Sequence, residues 1–318
     1  MPEIELSSLT LKEKIAQMVM VRVKEKDSKF TNLNVGGIFI DKKKTREEYK
    51  SLIQYHQNNS KIKLFVATDM EGYWNPFPFY KCKSFGEIKN KDESYQLGKA
   101  QGEILKDLGF NLNFSPIVET KNEVWIGRTF AGTKSEVNEK IKFYIKGLHE
   151  NKILSTAKHY PGGSMLKDPH LFRVKSEILK EDLEFFNYAI EQEVSAVMVG
   201  HAIVSGAVDS KNKQSTISSE VISKLRSNFK GLIITDAIGM LGLRLSYLFN
   251  DKKLYTDLVK AGNDIILDSS SYHLSNYRRI KRGISAIEQA VLSGEISQNR
   301  INESVTRILK HKGYKIIP

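Results

Sequence analysis

Two parts of the sequence bring together residue types that do chemistry. The segment Lys158-His159-Tyr160-Pro161-Gly162-Gly163-Ser164-Met165-Leu166-Lys167-Asp168-Pro169-His170 holds two histidines, two lysines, an aspartate and two of the chain's seven prolines within thirteen residues. Its prolines prevent continuous helix and stiffen the loop. Asp168 stands two residues from His170, near enough for the carboxylate to orient and charge the imidazole, a pairing suited to general acid/base work near neutral pH. The second feature is Asp236, which follows the apolar run Gly231-Leu232-Ile233-Ile234-Thr235. A carboxylate at the mouth of a buried strand can attack an electrophilic carbon or stabilise a cation. A helix N-cap is the alternative reading of the same aspartate.

For residues so far apart to meet, regular elements must carry them to one place. Short apolar runs near Val19–Val23, Gly37–Ile40, Leu64–Thr68, Leu112–Ile117, Leu154–His159, Ala196–His201, Leu232–Thr235 and Asp264–Leu267 read as eight strands. Amphipathic segments lie between them, including Glu93–Leu108, Ser135–Glu150, Lys180–Glu193, Ser218–Asn228 and Leu254–Ala261. Strands separated by such helices pair in parallel, because a crossover is needed to return to the same edge. The stretch Ser275–Lys312 reads as two more helices split at Leu292-Ser293-Gly294, the second ending in a basic turn before Gly313.

No linker, charge-run spacer or repeat divides the chain. The expected fold is therefore α/β, a single (β/α)8 TIM-type barrel with additional C-terminal helices over residues 1–318, with a doubly wound sheet as runner-up. The absence of GxGxxG and GxxxxGK[ST] weighs against a nucleotide-binding version. A barrel places its chemistry at the C-terminal ends of its strands. Five predicted strands end in charged or imidazole side chains: Asp69-Met70-Glu71-Gly72, Val118-Glu119 leading to Gly127-Arg128-Thr129-Phe130, Lys158-His159, His201 and Asp236.

Composition removes other classes. The chain has 318 residues, 40% hydrophobic and 9% aromatic, enough for a full core and unlike a disordered or low-complexity chain. Its 49 Lys+Arg against 37 Asp+Glu leave +12. Lysines outnumber arginines 38 to 11, so the excess reads as a solvated face rather than the guanidinium-rich surface that grips phosphate, and no nucleic-acid partner is expected. The densest clusters, Lys42-Lys43-Lys44 and the group Arg278, Arg279, Lys281, Arg282, are expected on a loop and an exposed helix face. His56, His149, His273 and His311 are expected at the surface. The lone Cys82 excludes an intramolecular disulfide and fits a reducing compartment. No zinc-type spacing, signal-like start or apolar run of about 20 residues is present. The expectation is a cytoplasmic monomer with no membrane partner, metal or cofactor.

An ordered series of motifs then resembles a known family. Leu9-Thr10-Leu11-Lys12-Glu13-Lys14-Ile15-Ala16-Gln17-Met18, Gly36-Gly37-Ile38, Thr68-Asp69-Met70-Glu71-Gly72, Asn113-Phe114-Ser115-Pro116, Gly127-Arg128-Thr129-Phe130, Lys158-His159-Tyr160-Pro161-Gly162, Val197-Met198 with His201, Thr235-Asp236 and Ala261-Gly262-Asn263-Asp264 together resemble glycoside hydrolase family 3, over nearly the whole chain. The Lys-His-aromatic-Pro-Gly element is the most specific part. Without a second domain, the chain is similar to the single-domain bacterial β-N-acetylhexosaminidases that trim N-acetylglucosamine from cell-wall fragments. The resemblance implies Asp236 as the nucleophile of a retaining double displacement and His170 with Asp168 as the mobile-loop acid/base dyad. It implies sugar-binding positions at Asp69, Arg128, Lys158 and His159, and His201 is assigned to substrate binding with them. The implied partner is a small carbohydrate, a muropeptide or other amino-sugar glycoside. A retaining glycosidase needs a nucleophile and an acid/base close together, and an imidazole acid avoids a second fixed carboxylate beside the glycosyl ester.

The chain also departs from the family pattern. Where the family reads Glu-Gly-Gly-Arg-Val-x-Arg, this chain has Glu71-Gly72-Tyr73-Trp74-Asn75-Pro76-Phe77, so both arginines are replaced, at Trp74 and Phe77. The loop from Pro161 to His170 is one residue shorter, and Pro169 stands in place of a serine. Trp74, Tyr73 and Phe77 are read either as a stacking rim for a sugar or as packing against a neighbouring loop. A family 3 β-glucosidase, a glycoside phosphorylase and a catalytically weakened sugar-binding barrel are the alternative functions.

Overall fold

The computed structural model describes residues 2–119, 124–163, 168, 171–269 and 273–317. Eight short strands carry the fold: β1 Val19–Arg22, β2 Gly37–Phe39, β3 Phe65–Thr68, β4 Leu112–Asn113, β5 Thr156–Tyr160, β6 Ala196–Val199, β7 Leu232–Thr235 and β8 Ile266–Asp268. They lie at the eight predicted places and are buried almost throughout. Covered on both faces by other structure, such strands read as continuous apolar runs rather than as an alternation.

The strands form two parallel sheets, one in the order β8-β1-β2-β3-β4 and one in the order β7-β6-β5. Val21 pairs with Ile38, Ile38 with Val66 and Ile234 with Met198. Single parallel bridges join the two sheets, Leu112 to Leu154 and Ile117 to Lys158 at one seam and Ile234 to Ile265 at the other. Strand order follows chain order, without the reversal that a doubly wound sheet requires. β4 is shorter than the predicted Leu112–Ile117 because Pro116 has no N–H to give the ladder. Its neighbourhood still pairs, since the Thr156 N–H donates to the Ser115 carbonyl at 2.8 Å and the Lys158 N–H to the Pro116 carbonyl at 3.1 Å.

The helices start where their sequences say. Thr10 with Glu13, Thr45 with Glu48 and Thr133 with Glu136 form reciprocal capping boxes, opening helices Leu11–Gln17, Arg46–Asn58 and Lys134–Glu150. Helices Lys91–Leu108 and Lys134–Glu150 approach closely through Gly98, where an added Cβ would lie 2.3 Å from the Tyr144 carbonyl oxygen. The two C-terminal helices span His273–Leu292 and Gln298–His311. No helix among the described residues is long and apolar enough to cross a membrane.

Several expectations are corrected. A short parallel pair, Lys175–Ile178 with Ile203–Gly206, stands outside the main sheets and braces the chain after Asp168. His56 is fully buried, its Nε2 on the Glu25 carbonyl at 3.1 Å, and His149 is half-buried with Nε2 2.9 Å from Ser155 Oγ. Burial pushes both imidazoles below their ordinary range. Both had looked solvated because nothing local in the sequence marks an interior imidazole. Arg279 is buried rather than surface-facing, its Nε 2.9 Å from Asp268 Oδ2.

Asp264 joins several elements at the end of the strands opposite the cavity described below. Its fully buried carboxylate accepts from the Ile233 N–H at 3.0 Å, Ser304 Oγ at 2.6 Å, Arg226 at 2.5 Å and Arg307 at 3.1 Å. Removing it would leave the arginines facing one another without their counter-charge. Asp264→Ala is expected to lower stability by about 3 kcal/mol or more, read as a reduced urea midpoint; an unchanged midpoint would refute this role.

Candidate active site

The C-terminal ends of the strands open into a cavity of about 1110 Å³. At its floor, β3 delivers Asp69 and Glu71. The buried Asn113 side chain in β4 fixes that turn twice, accepting from the Met70 N–H and donating to the Met70 carbonyl, each at 2.9 Å. Gly72 follows with φ +91°, and a Cβ there would fall 2.1 Å from the Lys83 carbonyl oxygen, so the turn requires glycine.

Glu71 is wholly buried and held from two sides. Arg128 makes a two-pronged contact, Nε to Oε2 and NH2 to Oε1, each 2.8 Å, and Lys158 Nζ lies 2.5 Å from Oε1. Burial alone would raise the Glu71 carboxyl; the charges of Lys158 and Arg128 overcome that and bring it down to about 2. Lys158, from β5, is also buried, yet its ammonium is raised because Asp69 and Glu71 outweigh the cost of burial. Its Nζ reaches Asp69 Oδ1 at 2.6 Å, and the Asp69 side chain, 39% exposed, carries this network into the cavity. Arg128 also lies over the Trp125 ring, 4.9 Å from its centroid.

His159 follows Lys158 and donates from Nδ1 to Glu119 Oε1 at 2.7 Å, while its backbone N–H reaches the same oxygen at 3.2 Å. Both contacts fix the imidazole in the cavity wall. Asp236 stands at the end of β7, 8% exposed, its N–H on the Val199 carbonyl and its Oδ1 accepting from the Ala237 N–H at 2.7 Å. The helix-cap alternative does not hold. The next helix begins at Leu241, with Met240 at its N-cap.

Asp69, Arg128, Lys158, His159 and Asp236 line one cavity. His201 does not line it. The carbonyl of Ala237 lies 3.1 Å from its Nε2 and can only accept, so Nε2 carries the proton and Nδ1 faces the Thr216 hydroxyl at 2.9 Å. His201 therefore supports the turn directly after Asp236. Asp168 is half-buried, its carbonyl accepting from the Phe172 N–H at 3.1 Å, and it too is not part of the lining. His170 lies outside the described residues.

Of the aromatic segment, Phe77 is core, packed against Tyr49, Phe79 and Phe110, whereas Trp74 is 48% exposed and lines the cavity. Sequence reasoning assigned no role to Glu71, Glu119 or Asn113. It also passed over Arg22 and Asp41, paired at 3.0 Å at the ends of β1 and β2. The Asp41 carboxyl is raised by burial, against the lowering charge of Arg22 and with help from nearby Asp69. The strand-end rule applied to β1 and β2 would have found this pair. Arg244, Asp251 and Arg282 also line the cavity, from helices that carry no local signal of it.

With this geometry in view, comparison with known proteins is informative. The family model described as "Glycosyl hydrolase family 3 N terminal domain" matches residues 10–311. The chain is 30% identical to "Beta-hexosaminidase" of Haemophilus influenzae, over 70% of this chain and 68% of that one. It is 24% identical to "Beta-hexosaminidase LpqI" of Mycobacterium tuberculosis, over 96% of this chain and 83% of that one. Among solved structures, a glycoside hydrolase family 3 beta-N-acetylglucosaminidase from Paenibacillus superposes with a TM-score of 0.87 at 27% identity. That match covers 96% of this chain, which spans 62% of the Paenibacillus chain.

The Glu71 network is testable through pH. Its folded value near 2 lies below the ordinary 4.5, so the stability contributed by its ionised form is complete above about 4.5 and is lost as pH falls toward 2. Glu71→Gln should cost about 3 kcal/mol at pH 7 and flatten the unfolding free energy over that window. Urea titrations at several pH values read both effects, and parallel curves for variant and wild type would refute the assignment.

Proposed function

The chain belongs to glycosyl hydrolase family 3 and is a glycosidase acting on O-glycosyl bonds; on that footing we propose that it is a retaining β-N-acetylhexosaminidase that releases N-acetylglucosamine from peptidoglycan-derived fragments. In this reading the two parallel sheets act as one (β/α)8 barrel, residues 1–318 are a single catalytic domain, and the protein works as a cytoplasmic monomer. One observation carries the reading: Asp236 lines the same cavity as Asp69, Arg128, Lys158 and His159. The hexosaminidase names of its relatives support the choice of sugar.

The chemistry follows from these positions. The Asp236 carboxylate attacks the anomeric carbon, forming a glycosyl ester as the glycosidic C–O bond breaks, and the leaving oxygen takes a proton from His170. The neutral imidazole then accepts a proton from the water that attacks the ester, and the sugar leaves with retained configuration. Asp168 orients and charges His170. Asp69, Arg128, Lys158 and His159 hold the sugar hydroxyls. His201 serves substrate binding indirectly, by fixing the turn after Asp236.

Turnover of a chromogenic β-N-acetylglucosaminide is expected, with loss of at least about 10³-fold in Asp236→Ala. A fluorinated N-acetylglucosamine-type glycoside should leave a covalent adduct on Asp236, detected by mass spectrometry. Wild-type protein that turns over neither this substrate nor muropeptides would overturn the reading. Release of a sugar phosphate only in the presence of phosphate would indicate a phosphorylase, and cleavage of glucosides alone a β-glucosidase.

A further inference from the structure

The cavity beside Asp236 mixes cations with carboxylates, since Asp41, Asp69, Glu71, Asp236 and Asp251 all line it. A second cavity, of about 770 Å³, lies at the other end of the strands, and none of the described residues lining it is acidic. Its wall includes Leu64, Asn111, Leu154 and Ser195, on the segments that enter β3, β4, β5 and β6. Helices Arg46–Asn58, Lys134–Glu150 and Gln298–His311 reach it with their C-terminal ends.

Five basic side chains line this cavity: Lys63, His149, Lys152, His311 and Lys312. The neutral amides are already committed. Gln57 donates to the Leu64 carbonyl at 3.1 Å and accepts its N–H at 3.0 Å, and Asn111 donates to the same carbonyl at 2.9 Å. Lys312 is half-buried, its Nζ donating to Gln17 Oε1 at 2.7 Å and lying 5.1 Å from the centroid of the Phe65 ring. Both partners are neutral, and burial pushes the Lys312 ammonium down to about 7. Lys63 and Lys152 are exposed, and among the described residues neither is ion-paired.

Part of this charge has a local reason. His149 and His311 stand in the last turns of their helices, where a positive charge offsets the carbonyl dipoles. That reason does not reach Lys63, which precedes a strand, or Lys152, whose φ of +61° is a left-handed conformation that favours glycine. Basic groups gathered round one space repel one another until an anion joins them. The type of base narrows the anion: an ammonium is a point charge that suits the oxygens of a tetrahedral oxyanion, whereas a planar carboxylate is matched by the arginine fork, and no described arginine lines this wall. We infer that this cavity is a second ligand site, taking the tetrahedral oxyanion of free phosphate or of a small phosphorylated metabolite, with Lys312 at its base and Lys63 and Lys152 at its rim. The site is separate from the one beside Asp236 and does not depend on the glycosidase reading.

Calorimetric titration of the full chain with sulfate, inorganic phosphate and glucose 6-phosphate tests it. Saturation with a Kd of about 1 mM or tighter is expected for at least one of the three. Lys312→Gln should weaken that binding by about tenfold or more, and so should the double variant Lys63→Gln with Lys152→Gln. The double variant replaces two exposed side chains, so it stands as a test even if Lys312→Gln fails to fold. Sulfate does not titrate, so protons taken up when it binds come to the protein. At about pH 8 the free Lys312 amine is mostly uncharged, and an anion beside it restores the charged form, so close to one proton should be taken up, read from the dependence of the heat on the buffer. His149, on which Glu193 also acts, and His311, whose Nδ1 donates to the Arg307 carbonyl, face the same anion, and the uptake that persists in Lys312→Gln is theirs. Tighter binding of glucose 6-phosphate than of inorganic phosphate assigns the site to a phosphorylated metabolite, and the reverse order assigns it to free phosphate. No saturation by any of the three up to about 10 mM overturns the inference. Binding unmoved in both variants, as for an anion held beside Asp236, overturns it equally.

Discussion

A carboxylate taken out of water loses several kcal/mol of hydration unless cations and donors replace it in good geometry. Glu71 meets that condition with the Arg128 fork on both oxygens and the Lys158 ammonium on one. Because three charged groups are buried together, none can move without stranding the others, and their positions are correspondingly fixed. Lys158 passes that rigidity outward to Asp69, which meets the cavity from the same β3 turn. The cavity surface is thus organised by an ion network lying one layer beneath it.

Further supports follow the same principle. Asn113 clamps the Met70 backbone, Glu119 holds His159, and His201 holds the carbonyl of Ala237 beside Asp236. Each places a neutral or charged hydrogen-bonding group behind a residue that lines the cavity or, for Met70, stands between two that do, so the wall is preorganised before a sugar arrives. At the opposite end of the strands, the Asp264 cluster binds neighbouring elements together and has no part in the cavity. The Asp264 cluster thus supports the fold from the end away from the site, as expected where loops at the C-terminal ends of the strands build the site.

Legibility in the sequence varied with the range of the interaction involved. The eight strands were readable because burial on both faces makes each an apolar run. Asp236, Lys158 and His159 were readable because charge at the end of an apolar run is unusual. Glu71 was visible in the same way but was not given a role, since its partners lie 57 and 87 residues away in the chain. His56 was misjudged for the same reason, its acceptor being the carbonyl of Glu25, 31 residues away; His149 meets Ser155, six residues on, and Ser195, 46 residues on, once the neighbouring strands bring them beside it.

What the sequence by itself determined was the order of strands and helices, the family, and the set of residues at strand ends that could do chemistry, because these depend on periodicity and near neighbours. What only the tertiary structure decided was which charges share a buried site. It separated Phe77 as core from Trp74 as cavity wall, and moved His201 from the cavity to the support of Asp236. It also brought Arg244, Asp251 and Arg282 from three helices to one wall. Electrostatic pairing acts through space over a few ångströms, and the chain distance between partners carries no record of it.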